Sequence, residues 1–295
     1  MRYRPTPVQE LVHPVAQAAG VRLLVKREDL NNESISGNKW WKLKYNIEEA
    51  TQSNHKTVLT FGGAFSNHIY ATAACAYEHG LKSIGVIRGE EVLPLNPTLA
   101  FARTKGMILH FISREEFRTR SGGDLPEKLH QTFGDFYLIP EGGTNALAVK
   151  GCAEFANELR HIDFDGLCLA VGTGGTMAGL ISAFKGEKNI IGASVLKNGE
   201  FLNNDIARLQ VEFSGLHYGN WKLLTTYHQG GYARVTKELL DFVRDMKERH
   251  NLPLDHIYTA KALFAALREI ESGAFPRGTT LLFIHTGGLQ GVIKT

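Results

Sequence analysis

Beyond about residue 50 the chain alternates two hydrophobic patterns. Short runs of apolar and β-branched residues are separated by longer stretches in which apolar positions recur every three or four residues. Short continuous apolar runs are what a sheet covered on both faces requires, and the three-to-four spacing is the signature of an amphipathic helix. Strands are predicted at Thr57–Phe61, Ser83–Arg88, Met107–Ile112, Phe136–Ile139, Gly166–Val171, Ile190–Ser194, Lys222–Thr225 and Thr280–His285. Helices are predicted at Asn67–His79, Asn145–Arg160, Val235–His250 and Ala260–Ser272, with Gly80 and Gly273 just past two of their ends. The first fifty residues read mainly as coil. Strands alternating with helices define an α/β protein with parallel sheets and crossover helices, and no internal repeat, low-complexity tract or linker interrupts it.

Glycine breaks this rhythm at strand ends. Of 295 residues 31 are glycine, about a tenth, against an average near 7%. Three glycine-rich stretches each follow an apolar strand: Phe61-Gly62-Gly63-Ala64-Phe65-Ser66-Asn67, Val171-Gly172-Thr173-Gly174-Gly175-Thr176 and His285-Thr286-Gly287-Gly288. Ligands of open α/β sheets bind beyond the carboxyl ends of the strands, so the three exits predict one shared site. The Gly172–Thr176 stretch runs from a strand into a helix, where converging backbone N–H groups stabilise a phosphate. It is not a dinucleotide fingerprint, because the third glycine of that motif falls on Met177 and no acidic residue ends a following strand. Nor is it a P-loop, since no Gly-Lys-Ser/Thr closes it. An empty tight turn is the plain alternative, and the hydroxyls of Thr173 and Thr176 weigh against it.

Composition narrows the function classes. With 33 basic and 30 acidic residues interleaved, the net charge of +3 and pI of 8.7 describe a mixed solvated surface. No basic stripe suggests nucleic acid. Cys75, Cys152 and Cys168 are widely spaced in apolar surroundings, as buried thiols of a reducing compartment are, and no Cys-x-x-Cys points to a metal. No run approaches the roughly 18 apolar residues of a membrane span, and the N-terminus lacks an apolar signal core, so a cytoplasmic location is expected.

Lys39, in Ser36-Gly37-Asn38-Lys39, is the sharpest single residue. A lysine at a helix start is usually a solvated surface group. Desolvated in a crevice, it becomes a nucleophile able to form a Schiff base. A lysine of that kind, a cup for a single phosphate and the lack of a metal or nucleotide signature are together what pyridoxal phosphate needs.

These residues resemble the pyridoxal-phosphate enzymes of the tryptophan-synthase-β fold type, in the branch of 1-aminocyclopropane-1-carboxylate deaminase and D-cysteine desulfhydrase. The resemblance runs through Lys26-Arg27-Glu28-Asp29-Leu30, Ser36-Gly37-Asn38-Lys39, Gly62-Gly63 with Ser66-Asn67-His68, and Glu141-Gly142-Gly143. It continues through Gly172-Thr173-Gly174-Gly175-Thr176, Ile257-Tyr258-Thr259-x-Lys261-Ala262 and His285-Thr286-Gly287-Gly288, nearly the whole chain in the family's order. It implies that Lys39 carries the cofactor, that Asn67 bonds its 3′-oxygen and that Gly172–Thr176 hold its phosphate. Ser66 would face the amino acid. Tyr258 and Tyr232 resemble the family's active-site tyrosines, whose alternative is a half-buried structural role. His68 either orders the Ser66 side or caps its helix.

Thr259 stands where the deaminase branch has a glutamate against the cofactor's ring nitrogen. A neutral hydroxyl, from Thr259 or Thr286, stabilises a pyridinium poorly, and this favours elimination of a good leaving group over ring opening. The expected reaction is therefore β-elimination from an amino acid such as D-cysteine, giving pyruvate, ammonia and sulfide. The alternatives are deamination of the cyclopropane amino acid, racemisation and, from another class, a non-catalytic cofactor-binding or amino-acid-binding protein. The chain departs from the family pattern at Trp41, Phe65 and Tyr70, which predicts more aromatic, less cationic surroundings, and it is short for the family. The resemblance implies two open, twisted α/β domains, a larger one of residues 1–50 with 156–295 and a smaller one of residues 51–155, with the cofactor between them, in a homodimer.

Overall fold

The computed structural model describes residues 1–119 and 122–291; the last four residues of the larger expected domain, 292–295, lie outside that range. Among the described residues ten strands form two sheets. They are β1 (Val8–Glu10), β2 (Arg22–Lys26), β3 (Thr57–Gly63), β4 (Lys82–Arg88), β5 (Ile108–Ile112), β6 (Tyr137–Ile139), β7 (Gly166–Val171), β8 (Asn189–Ser194), β9 (Trp221–Leu224) and β10 (Thr280–Ile284). The helices are α1 (Pro14–Ala19), α2 (Asn38–Gln52), α3 (Asn67–Glu78), α4 (Pro97–Thr104), α5 (Arg114–Arg118), α6 (Leu125–Phe133), α7 (Ala146–Phe155), α8 (Gly175–Phe184), α9 (Leu202–Ser214), α10 (Lys237–His250) and α11 (Thr259–Glu271).

The larger sheet has the order β1-β2-β10-β7-β8-β9 and the smaller one β5-β4-β3-β6. Every pairing is parallel except the edge pair β1 with β2. All eight expected strands form, within a residue or two of their predicted ends. The opening fifty residues depart from the expected coil: they hold β1, α1, β2 and most of α2. The reason is tertiary pairing. Arg22–Lys26 is hydrogen-bonded between β1 and β10, a partner some 250 residues further along the chain, and no local pattern announces such a contact.

All six residues of β7 are buried, as a central strand covered on both faces must be. Its side chains alternate between two cores. Leu167, Leu169 and Val171 pack with residues of α2, α7, α8 and α9, while Cys168 and Ala170 face α1, α10 and α11. The first of these cores also takes in Val58, Ala71, Ala74, Cys75 and Ile139 of the smaller sheet and α3, so one continuous apolar mass joins the two sheets. Each such side chain contributes roughly 1.5–3 kcal/mol when fully buried. The three cysteines are buried and unpaired. The glycine-rich exits of β3, β7 and β10 open toward each other across this junction.

Candidate active site

Lys39 is delivered by a turn that only glycine can make. Gly37 has φ +68°, and a Cβ there would lie 1.9 Å from the Thr286 carbonyl oxygen. The turn is tied down from behind. Gly37 N–H donates to the Glu28 carbonyl (3.1 Å) and to Asn31 Oδ1 (2.8 Å), and Asn38 N–H donates to the Thr286 carbonyl (3.2 Å). Glu28 is wholly buried and accepts from Thr6, Trp41 and Asn31 at 2.6, 2.9 and 2.9 Å, while Arg27 clamps Asp29 through two bonds. The Lys26–Leu30 motif therefore builds the mount on which α2 begins. It does not reach the cavity.

Lys39 opens onto a cavity of about 350 Å³, and burial pushes its amine down to about 8. Its Nζ donates to Asn38 Oδ1 at 3.1 Å, and Asn38 Nδ2 donates to Thr176 Oγ1 at 2.8 Å, linking the lysine to the Gly172–Thr176 loop. That loop leads into α8, with Gly174 in the left-handed region (φ +79°) at the N-cap, so the free N–H groups of the first turn point into the cavity.

Lys42 faces the same loop and was not anticipated. It lies three residues after Lys39 on α2, a spacing that puts both amines on one helix face, and that spacing was readable in the sequence. Its side chain is buried, its Nζ donates to Thr144 Oγ1 (2.7 Å) and Thr173 Oγ1 (3.3 Å), and the two threonine hydroxyls are hydrogen-bonded to each other. Burial, reinforced by the charge of Lys39, lowers it to about 7. Among the described residues no carboxylate pairs with it. A buried amine with only hydroxyl partners, beside a helix N-terminus, is a site fitted to an anion.

The opposite wall comes from the smaller sheet. Ser66 caps α3: its Oγ accepts from the N–H groups of His68 (3.2 Å) and Ile69 (3.3 Å), which leaves the hydroxyl proton to donate elsewhere. Ser66 is thus the cap, and the His68 side chain is not. Wholly buried, His68 bonds Thr60 Oγ1 through Nε2 at 2.8 Å, and burial holds it neutral, well below the usual histidine range. Asn67 lines the cavity with its Oδ1 occupied by Gln290 (2.7 Å), so its Nδ2 is the group left to donate.

The two tyrosines meet at one end. Their rings lie 6.1 Å apart, edge to face, the hydroxyls interact, and burial raises both above the usual phenol value. Each therefore stays protonated at neutral pH. Arg88, at the end of β4, stands over the Tyr232 ring at 5.8 Å and over Phe117 at 5.7 Å.

Of the expected site residues, Lys39, Ser66, Asn67, Gly172, Thr173, Gly174, Gly175, Thr176, Tyr232, Tyr258 and Thr286 all line this one cavity. Thr259 does not. It is fully buried in the first turn of α11, and its hydroxyl donates to Asp255 Oδ2 at 2.7 Å. Asp255 is itself saturated, accepting also from the N–H groups of Ile257, Tyr258 and Thr259. Trp41 also lies elsewhere: its indole N–H is spent on Glu28 and its ring packs on Phe155, so this departure from the family pattern belongs to the core. Tyr70 stacks on Phe101 at 3.7 Å beside a small pocket next to the site, and Phe65 is 48% exposed just before α3.

A half-buried lysine facing an anion cup across a cleft between two largely parallel sheets defines a class, the α/β enzymes that hold a phosphorylated carbonyl cofactor covalently. A family model described as pyridoxal-phosphate dependent enzyme matches residues 1–287, and this chain belongs to that family. A putative 1-aminocyclopropane-1-carboxylate deaminase of Thermotoga maritima is 34% identical over 98% of this chain and 95% of its own length. The bifunctional D-cysteine desulfhydrase/1-aminocyclopropane-1-carboxylate deaminase of Arabidopsis thaliana is 32% identical over 99% of this chain and 78% of its own. The crystal structure of an ACC deaminase homologue superposes with a TM-score of 0.87 at 28% identity, covering 98% of this chain and 91% of that one. Among the described residues no helix is long and apolar enough to cross a membrane.

Proposed function

We propose that the protein eliminates the β-substituent of a small amino acid, with D-cysteine as the type substrate: D-cysteine and water give pyruvate, ammonia and hydrogen sulfide. Lys39 would hold the cofactor, the Gly172–Thr176 loop with Lys42 its phosphate, and Asn67 Nδ2 its ring hydroxyl oxygen. When bound, pyridoxal phosphate supplies a carbonyl carbon for an amine and an electron sink for the bond broken at Cα. The remaining work falls to the chain. Lys39, with its amine lowered to about 8, is partly neutral near pH 7–8, able to attack a carbonyl and then to hold the proton removed from Cα. The Ser66 hydroxyl proton is available to the amino acid's carboxylate. Tyr258 and Tyr232, kept protonated, would give a proton to the departing sulfur.

The observation that carries this reading is the end of the cavity by β10. It offers the hydroxyl of Thr286, while the nearby carboxylate of Asp255 is consumed by four donors. Without a free carboxylate there, the electron sink is shallow, and a leaving group that carries charge away suits it better than a strained ring. The name of the Thermotoga relative favours the second reading, opening of the cyclopropane amino acid. Incubating the holoenzyme with D-cysteine, D-serine and 1-aminocyclopropane-1-carboxylate, and measuring sulfide and keto acid, separates the two. Turnover of the cyclopropane substrate with none of D-cysteine would overturn the first.

The same reading takes residues 1–50 with 156–295 as a larger domain and 51–155 as a smaller one, in a cytoplasmic homodimer. Sheet membership supports the division, since β3 to β6 all fall between residues 57 and 139. Light scattering of the purified protein tests the dimer.

A further inference from the structure

Lys261 is a buried lysine that the proposed chemistry does not use. Its side chain is 1% exposed, and among the described residues no carboxylate forms an ion pair with it. Lysines are almost never fully buried unless paired. Here the amine makes one hydrogen bond, from Nζ to the carbonyl oxygen of Gly231 at 2.8 Å.

That carbonyl belongs to the connection between β9 and α10, a stretch with little regular structure of its own. Gln229, Gly230, Gly231 and Ala233 all have positive φ (+54°, +92°, +108° and +56°). Two of them are not glycine, so the conformation is unfavourable and has to be held by its surroundings. The residue inside this run is Tyr232, whose ring enters the cavity against Tyr258. Tyr258 is the N-cap residue of α11, and Lys261 follows it by three residues in the helix's first turn. Both tyrosines are thus set from the same turn: Tyr258 directly, as the residue before the helix, and Tyr232 through the amine that grips the carbonyl just before it.

We propose that Lys261 is a positioning residue, whose amine fixes the Gly231 carbonyl and thereby holds the Tyr232 hydroxyl against that of Tyr258. The proposal rests on the reading of Tyr232 as a residue that acts on the substrate.

Lys261→Met keeps the apolar stem and removes the donor. Because it also removes a costly buried amine, the variant is expected to fold with a melting temperature within a few degrees of the parent, and Lys261→Leu serves if it does not. In the holoenzyme, the amide protons of Gly231 and Arg234, which are hydrogen-bonded to His228 and Gly231 carbonyls, are expected to exchange at least tenfold faster. Those of α11 should be unchanged. The kcat/KM is expected to fall at least fivefold with cofactor affinity retained, and the double variant with Tyr232→Phe should be no slower than Tyr232→Phe alone. Unchanged exchange at Gly231 and Arg234 overturns the proposal, and so do losses that multiply in the double variant. If Tyr232→Phe alone turns over at the parent rate, the reading of Tyr232 fails, and the exchange result still decides whether Lys261 is the tether.

Discussion

The two walls of the cavity are built differently. The cup on the larger sheet is backbone: Gly172 to Thr176 and the first turn of α8 present N–H groups whose positions follow from glycine geometry and a helix start, with Lys42 behind them. The wall on the smaller sheet is side chain: Ser66, Asn67 and Arg88, each placed by its own local contacts, with Phe65 exposed in the turn just before Ser66. Backbone cups serve a ligand that never changes, and a side-chain wall can be revised residue by residue without disturbing the cup. The departures from the family pattern follow this division. Phe65 and Tyr70 lie in or beside α3 of the smaller sheet, Trp41 is in the core, and none falls in the loop. Cofactor and substrate recognition should therefore come apart under mutation.

The largest test is at the lysine that stands between the walls. Lys39→Ala is expected to abolish both the bound cofactor's absorbance and turnover, because among the lysines lining the cavity it is the one not already committed to the threonine hydroxyls. A variant that kept the absorbance would show that Lys42 holds the cofactor, reversing the two amines. Lys42→Met comes next. Hydrogen bonds to charged groups contribute about 1.5–3 kcal/mol, so the affinity of the cofactor-free protein for pyridoxal phosphate should fall roughly 10- to 100-fold. The KM for amino acid at saturating cofactor should stay unchanged. A shift in KM instead would move Lys42 from the cup to the substrate.

The same division explains what the sequence disclosed. The strands of both sheets and the shared site at three glycine-rich exits were legible because each rests on a local rule, an apolar run or a glycine at a strand end, and Lys39 was legible through its pairing with the phosphate cup. Lys42 was legible in principle from its three-residue spacing but looked like one more charge on a helix. The strand Arg22–Lys26 was not legible, since its partner β10 is supplied by the far end of the chain. Thr259 shows the opposite error. Its neighbours in sequence match the site, but its hydroxyl turns inward to Asp255, a hydrogen bond that neither spacing nor composition reveals.

A smaller effect separates the walls by pH. In the fold, burial lowers Lys39 to about 8 and Lys42 to about 7 from an ordinary 10.5. Between those values the unfolded chain binds more protons than the folded one, so stability of the cofactor-free protein rises with pH. Above about pH 9 the buried thiols of Cys75 and Cys168, raised by burial, oppose the trend, because the unfolded chain then loses protons that the folded one keeps. His68, held neutral, acts in the same direction as the lysines but in a lower window, from its depressed value up to its ordinary 6.5. The melting temperature of cofactor-free protein should climb by several degrees from pH 7 to pH 8.5, and Lys42→Met should reduce that climb, to which Lys39 and Lys261, each lowered to about 8, still contribute, while leaving the rise between pH 5 and 6.5 intact. Equal flattening in both windows would mean that the two walls titrate as one unit.

The smallest expected effect lies just before the Ser66 cap. Phe65 is 48% exposed on the turn between Gly63 and the Ser66 cap, so truncating it opens no core cavity and leaves the cap bonds to His68 and Ile69 in place. Phe65→Ala should leave the melting temperature within about a degree, in keeping with surface substitutions that stay within ±0.5 kcal/mol. Cofactor affinity should not move, since Phe65 is not among the residues that line the cavity. What should change is selectivity among amino acids. Gaining or losing apolar contact in a pocket is worth about 1–3 kcal/mol for a methylene-sized difference, and a half-exposed ring delivers the low end, a few-fold change in the ratio of kcat/KM between an apolar and a polar β-substituent. If Phe65→Ala weakened cofactor binding instead, the substrate wall would be part of the cup, and the separation of the two walls would be wrong.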